Sequence, residues 1–192
     1  MNKLASTEDL LKAVSLFEFY LQLMLLLAVV SMHNLYLAVL LLGLISKHIP
    51  ERIIKSFLSK RNGQLIDLAK RPEGAENCNM FNSGGPAIHS GLISGHVFLL
   101  STLIFYALFR FTNGLKNGLT HKQETLITLL VIWCGLVSYA RINLKCHQPE
   151  QVAIGLFLGV GWGYLVYFVI EKIKTHSRRI RNDELKILNL FQ

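Results

Sequence analysis

Residues 141–163 read RINLKCHQPEQVAIGLFLGVGWG, a short polar turn followed by an apolar run interrupted only by glycines. His147, Gln151, Gly155, Gly159 and Gly163 recur every four residues, which places them on one face of a helix. Glycines along such a face let a second helix approach backbone to backbone, as small-residue stripes do in membranes. Pro149 falls in the first turn, where an amide has no helical partner to lose. The stretch therefore reads as a membrane helix beginning near His147. The stripe is structural, but it turns His147 and Gln151 inward to a bundle instead of outward to lipid.

Four more apolar runs precede it: Leu16 to Met32, Leu35 to Ile45, Val97 to Phe109 and Leu126 to Ala140. A helix needs ~20 apolar residues to cross the hydrocarbon core, and shorter runs need help from their flanks. Hydrophobic residues make up 52% of the 192-residue chain and charged residues 17%. That balance excludes a disordered chain and an ordinary soluble domain. The first run carries Glu18 and Gln22 one turn apart and lacks a small-x-small cleavage site, so it reads as a retained helix. The expected fold is all-α: one integral-membrane domain over residues 1–192, a polytopic six-helix bundle with five clear spans and one polar span at about 51–70.

The polar span is an argument from topology. Residues 51–69 place Ile53, Ile54, Phe57, Leu58, Leu65, Ile66 and Leu68 beside Arg52, Lys55, Lys60, Arg61 and Asp67. They read either as a shielded span or as an interfacial helix. A span puts residues 47–61, loop 110–123 and both termini on one side, with most of the lysine and arginine, hence cytosolic. Loop 72–93 and the Arg141–His147 turn then share the exoplasmic or lumenal face. The net charge of +8 belongs to this topology and to lipid headgroups, not to a nucleic-acid partner. Its densest part (Lys172, Lys174, Arg178, Arg179, Arg181) follows the last span directly. Loop 72–93, rich in Gly, Asn, Ser and Pro, is long enough to be a functional lid.

Three stretches bring chemistry to that face: Lys70-Arg71-Pro72, Ser94-Gly95-His96, and Arg141 followed after five residues by His147. Alone, each is a chance occurrence in many chains. Together, at span ends, they cluster ionisable groups where the membrane makes them costly. Arginine offers an oxyanion a fixed fork of donors, and histidine can attack phosphorus or transfer a proton. A serine hydroxyl and glycine amide at a helix start bind phosphate oxygens. Gln151, one turn after His147, can fix the tautomer of the imidazole.

This set resembles the type 2 phosphatidate phosphatase superfamily, which shares its site with the vanadium haloperoxidases. The family signatures are Lys-x6-Arg-Pro, Pro-Ser-Gly-His and Ser-Arg-x5-His-x3-Asp. Here they look like Gln64-x6-Arg71-Pro72, Ile93-Ser94-Gly95-His96 and Ala140-Arg141-x5-His147-x3-Gln151. The resemblance implies a lipid phosphatase with no metal and no cofactor, acting on a phosphate or diphosphate monoester of a membrane lipid. It implies His147 as the nucleophile that forms a phosphohistidine, and His96 as the acid for the departing oxygen. Arg71, Arg141, Ser94 and the Gly95 amide hold the phosphoryl oxygens, and Gln151 takes the place of the orienting aspartate. Gln64 replaces the signature lysine, with Lys60 and Lys70 as nearby substitutes. Glutamine after His-x3, and Val152-x2-Gly155, are also similar to the dolichyl-diphosphate phosphatase branch, which implies a polyprenyl diphosphate.

The alternative reading is a lipid-phosphate binder or transporter that keeps the pocket without turnover, given the missing lysine, proline and aspartate. An intramembrane serine protease fits less well, because Gly91-Leu92-Ile93-Ser94-Gly95 has one residue too many for Gly-x-Ser-Gly. Of the three cysteines, Cys134 lies inside a span. Cys78 and Cys146 share the motif face, where a disulfide between them would fit. None has metal-ligand spacing.

Overall fold

The computed structural model describes residues 13–14, 16–58, 60–61, 64–73, 75, 91–112 and 118–191. They form seven α-helices: α1 (Phe17–Met32), α2 (Leu35–Ile45), α3 (His48–Leu58), α4 (Gly95–Thr112), α5 (His121–Asn143), α6 (Pro149–His176) and α7 (Arg178–Leu188). One two-residue hairpin, Lys60–Arg61 against Gln64–Leu65, and 3-10 turns at Asp67–Ala69 and Asn189–Phe191 complete the described chain. The fold is an all-α membrane bundle.

The helices α4, α5 and α6, of 18, 23 and 28 residues, are long and apolar enough to cross a membrane. The 16 residues of α1 make a shorter apolar helix. Several large apolar side chains of α5 face outward, Leu129, Val131, Ile132 and Leu136 among them, as do Phe157 and Phe168 of α6. Such a surface would aggregate in water and suits lipid.

At the centre stands α4, whose Val97, Phe98, Leu99 and Leu100 are essentially inaccessible. The glycine stripe of α6 makes that burial achievable. A Cβ at Gly155 would lie 2.9 Å from the Ser94 carbonyl, and one at Gly163 would lie 2.7 Å from the Thr102 carbonyl. At Gly159 it would collide with the Ser101 side chain. The two backbones therefore touch along three turns, as the four-residue repeat predicts. Across the same seam Ser101 Oγ donates to the Leu156 carbonyl at 2.8 Å.

Although short, α2 links the two ends of the bundle. At its start Asn34 donates to the Asp183 carbonyl of α7 at 3.2 Å, and just beyond its end Lys47 Nζ donates to the Gly95 carbonyl of α4 at 2.8 Å. The lower end is closed by α7. There Glu184 accepts from Arg110 at 2.5 Å and from Lys174 at 2.7 Å, while Asp183 caps Leu35 N at 3.0 Å. An apolar cavity of about 260 Å³ lies in this lower half, between Leu21, Leu25, Tyr36, Leu103, Tyr106 and Ile187.

The polar span expected at 51–70 is not a span. Instead α3 is an 11-residue amphipathic helix with no fully buried residue. Its Ile53, Phe57 and Leu58 are exposed, and the chain then leaves helix for the hairpin and the 3-10 turn. The reason is local: the seven charged residues of 51–70 cannot face lipid, and only one face of α3, with Glu51 against the start of α4, is covered. Pro50 sits in the first turn of α3, where proline is tolerated. Lys47, Glu51 and Lys55 consequently stand at the motif end, not with loop 110–123 and the C-terminus. Basic residues then occupy both ends, so the lopsided charge that assigned the motif face to the exoplasmic side disappears.

Cys146 is disulfide-bonded, whereas Cys134 is a free, buried thiol. Cys78, most of the expected lid in loop 72–93, and the side chains of Glu18 and Gln64 lie outside the described residues.

Candidate active site

The C-terminal end of α5 creates the spacing between Arg141 and His147. After Asn143 the chain turns through Lys145, which adopts a left-handed conformation with φ of 54°. That turn lets the Arg141 carbonyl accept from both Cys146 N at 3.0 Å and His147 N at 3.2 Å. Arg141 and His147 are thus clamped together before α6 begins, and both are 4% exposed.

His147 is held by its Nδ1. The Gly91 carbonyl lies 3.0 Å away and Gln151 Oε1 lies 3.2 Å away. Both are acceptors, so Nδ1 carries the proton and Nε2 bears the lone pair. Burial pushes the His147 imidazole down from the ordinary 6.5 to about 3, with the charges of Arg141, Arg71 and Lys55 adding to the effect. The ring is therefore neutral, with a free nitrogen, across the physiological range.

Gln151, fully buried, anchors the site. Its Oε1 also accepts from Gln148 N at 3.1 Å. Its Nε2 donates to the Leu68 carbonyl at 2.9 Å and to the Lys70 carbonyl at 2.7 Å. One amide thus stitches the 68–70 segment to α6 while facing His147. A carboxylate could not do this, because it has no donors. Gly91 closes the arrangement: its amide donates to the Ala69 carbonyl at 2.8 Å, and a Cβ there would meet Gln151 Oε1 at 2.7 Å and Arg71 Cγ at 3.0 Å. Only a glycine leaves room for the Arg71 stem to pass. The Arg71 guanidinium is half-buried, and burial lowers its proton affinity.

Ser94, Gly95 and His96 form the entry to α4. Ser94 N donates to the Gln151 carbonyl at 3.2 Å, which ties this entry to α6. Ser94 Oγ is fully buried and makes no hydrogen bond, so it has donor and acceptor capacity left for a ligand. His96 lies within electrostatic reach of Arg141, Lys47, His147 and Glu51. Arg71, Ser94, Gly95, His96, Arg141, His147 and Gln151 thus converge from four segments on one end of the bundle. Lys70 contributes its carbonyl, while its ammonium pairs with the exposed Asp67 at 2.7 Å.

Outside the three motifs, α3 also reaches this end of the bundle. Glu51, whose side chain is 12% exposed, is 2.6 Å from Lys55 Nζ, and a Cβ at Gly95 would touch its carboxylate at 2.8 Å. Lys47 is fully buried beside it. The signal was present: residues 47, 51 and 55 are spaced by four, hence share a helix face.

A buried neutral histidine with a free nitrogen, beside two arginines, a serine and the amide end of a helix, is a donor set whose chemistry suits a phosphoryl group in a membrane protein. Residues 28–174 match the PAP2 superfamily. That is well over half of the chain, which therefore belongs to this superfamily, whose members are typically phosphatases acting on lipid phosphates. No curated protein and no solved structure matches the chain.

Proposed function

We propose that this chain hydrolyses a phosphate or diphosphate monoester of a membrane lipid through a covalent phosphohistidine, with no metal ion. The observation that supports the reading best is the pair of oxygens on His147 Nδ1, which leaves Nε2 as a nucleophile in its neutral form.

In the first step Nε2 attacks phosphorus. The P–O bond to the lipid breaks with its electron pair on the departing oxygen, and His96 protonates that oxygen. Arg71, Arg141, Ser94 Oγ and the Gly95 amide hold the phosphoryl oxygens and stabilise the charge that develops there. In the second step His96, now neutral, takes a proton from water as the water attacks the phosphohistidine. The P–N bond breaks and phosphate leaves. Gln151 keeps the ring oriented throughout. The substrate class favoured by His147-x3-Gln151 and Val152-x2-Gly155 is a polyprenyl diphosphate, with phosphatidate-type lipids beside it.

The test is phosphate release by purified protein in detergent with chelator present, offered phosphatidate, lysophosphatidate, sphingosine phosphate and polyprenyl diphosphate. Chelator-resistant release that falls by roughly a thousandfold or more in His147→Ala is the expected outcome. Appreciable turnover in that variant, or none in the wild type, refutes the reading.

A further inference from the structure

Gln64 leaves the first signature without its lysine, yet the site is not short of an ammonium group. Lys47, Glu51 and Lys55 line one face of the chain through α3, and that face lies against the start of α4. Lys55 Nζ is 2.6 Å from Glu51 Oε1, while Lys47 Nζ and His48 Nδ1 stand 3.7 and 3.5 Å from Glu51 Oε2. The same carboxylate oxygens would touch a Cβ placed on Gly95 at 2.8 and 3.1 Å. A carboxylate thus sits over the first residue of a helix, between ammonium groups, one residue along the chain from Ser94, whose buried Oγ makes no hydrogen bond. Two oxygens with a negative charge, in a seat lined by cations and a helix start, imitate part of a phosphate. Burial would raise the Glu51 carboxyl, but His48, Lys55 and Lys47 hold it well below the ordinary carboxylate range, so it is charged at every working pH.

We propose that Lys55 is a phosphate-binding residue of this site, supplying from α3 the ammonium that Gln64 lacks, and that Glu51 is its counter-ion until phosphate displaces it. This rests on the phosphatase reading for its substrate but not for its anion chemistry. The geometry favours Lys55 over Lys47, because Lys47 is buried and committed to the Gly95 carbonyl at 2.8 Å, whereas Lys55 is partly exposed on a helix with no fully buried residue.

The experiment measures equilibrium binding of inorganic orthovanadate and lipid-phosphate turnover in the same detergent preparations of full-length wild type, Lys55→Ala, Lys55→Arg and Glu51→Gln. Lys55→Ala should weaken vanadate binding by roughly tenfold or more, the scale of one lost charge-assisted contact. Lys55→Arg should recover most of that loss, and Glu51→Gln should bind vanadate more tightly than wild type. Unchanged vanadate affinity in Lys55→Ala, with turnover intact, overturns the proposal and leaves the phosphatase reading standing. Vanadate binding that depends on Lys55 in a protein without turnover supports the proposal and removes the phosphatase reading.

Discussion

Both ends of the bundle bury charge, and they do so in opposite ways. At the lower end Glu184, 2% exposed, lies between Arg110 and Lys174, and Lys174 also reaches Glu171 at 2.5 Å. Two cations meet two carboxylates, and Asp183 turns its carbonyl and one carboxylate oxygen to the start of α2. At the upper end Lys47, His48 and Lys55 gather around Glu51, whose side chain is 12% exposed, while Arg141 and Arg71 act on His147 beside them. A balanced cluster fastens helices together. The first kind of site is finished when the chain folds. The second, under the proposed function, is the one a phosphate would join.

That contrast can be tested by removing charge at each end. Glu184→Gln should leave Arg110 and Lys174 without their shared carboxylate and destabilise the fold by about 3 kcal/mol, read as loss of thermal stability in detergent. Phosphate or vanadate should not restore that stability. If an anion rescues Glu184→Gln as well as it stabilises wild type, the distinction between the two ends is wrong.

A smaller effect separates Gln151 from the aspartate of the family signature. Gln151→Glu keeps the length of the side chain but loses the donors to Leu68 O and Lys70 O. It also sets a negative charge against two carbonyls. The expected cost is about 2 kcal/mol, with lower turnover than wild type. A gain in activity would mean that Gln151 is merely a weakened carboxylate.

The smallest effect concerns pH. His147 binds its proton near pH 6.5 when unfolded but only near 3 when folded. The unfolded state therefore holds more protons between those values, and stability falls as pH drops through that window. Acidification from pH 7 to pH 5 should lower the melting temperature of wild type more than that of His147→Gln, by a margin that saturating phosphate narrows. Equal slopes in the two proteins would show that His147 is not held neutral by its surroundings.

The motif residues were legible because their chemistry is local. His147, Gln151 and the glycine stripe share a helix face by spacing alone, and the structure packs that face on α4 as expected. Ser94-Gly95-His96 opens a helix, as its sequence indicates. Illegible were contacts between segments distant in the chain. Nothing in the spacing tells that the Gly91 carbonyl would hold His147, or that Gln151 would bond to two carbonyls at residues 68 and 70. Residues 51–70 misled because charge and apolar periodicity coexist there, and only the neighbours decide whether such a helix is enclosed or left at the surface.

By itself, then, the amino-acid order determined an all-helical membrane chain, its strongest spans, and the residue types that meet in the candidate site. Hydrophobic run length and helical periodicity are properties of a segment and its solvent. The tertiary structure decided that α3 lies across the motif end, that His147 is neutral with Nε2 free, and that Glu51 sits over Gly95. Those outcomes depend on which buried donors, acceptors and charges meet, and that is settled only when separate segments close around one another.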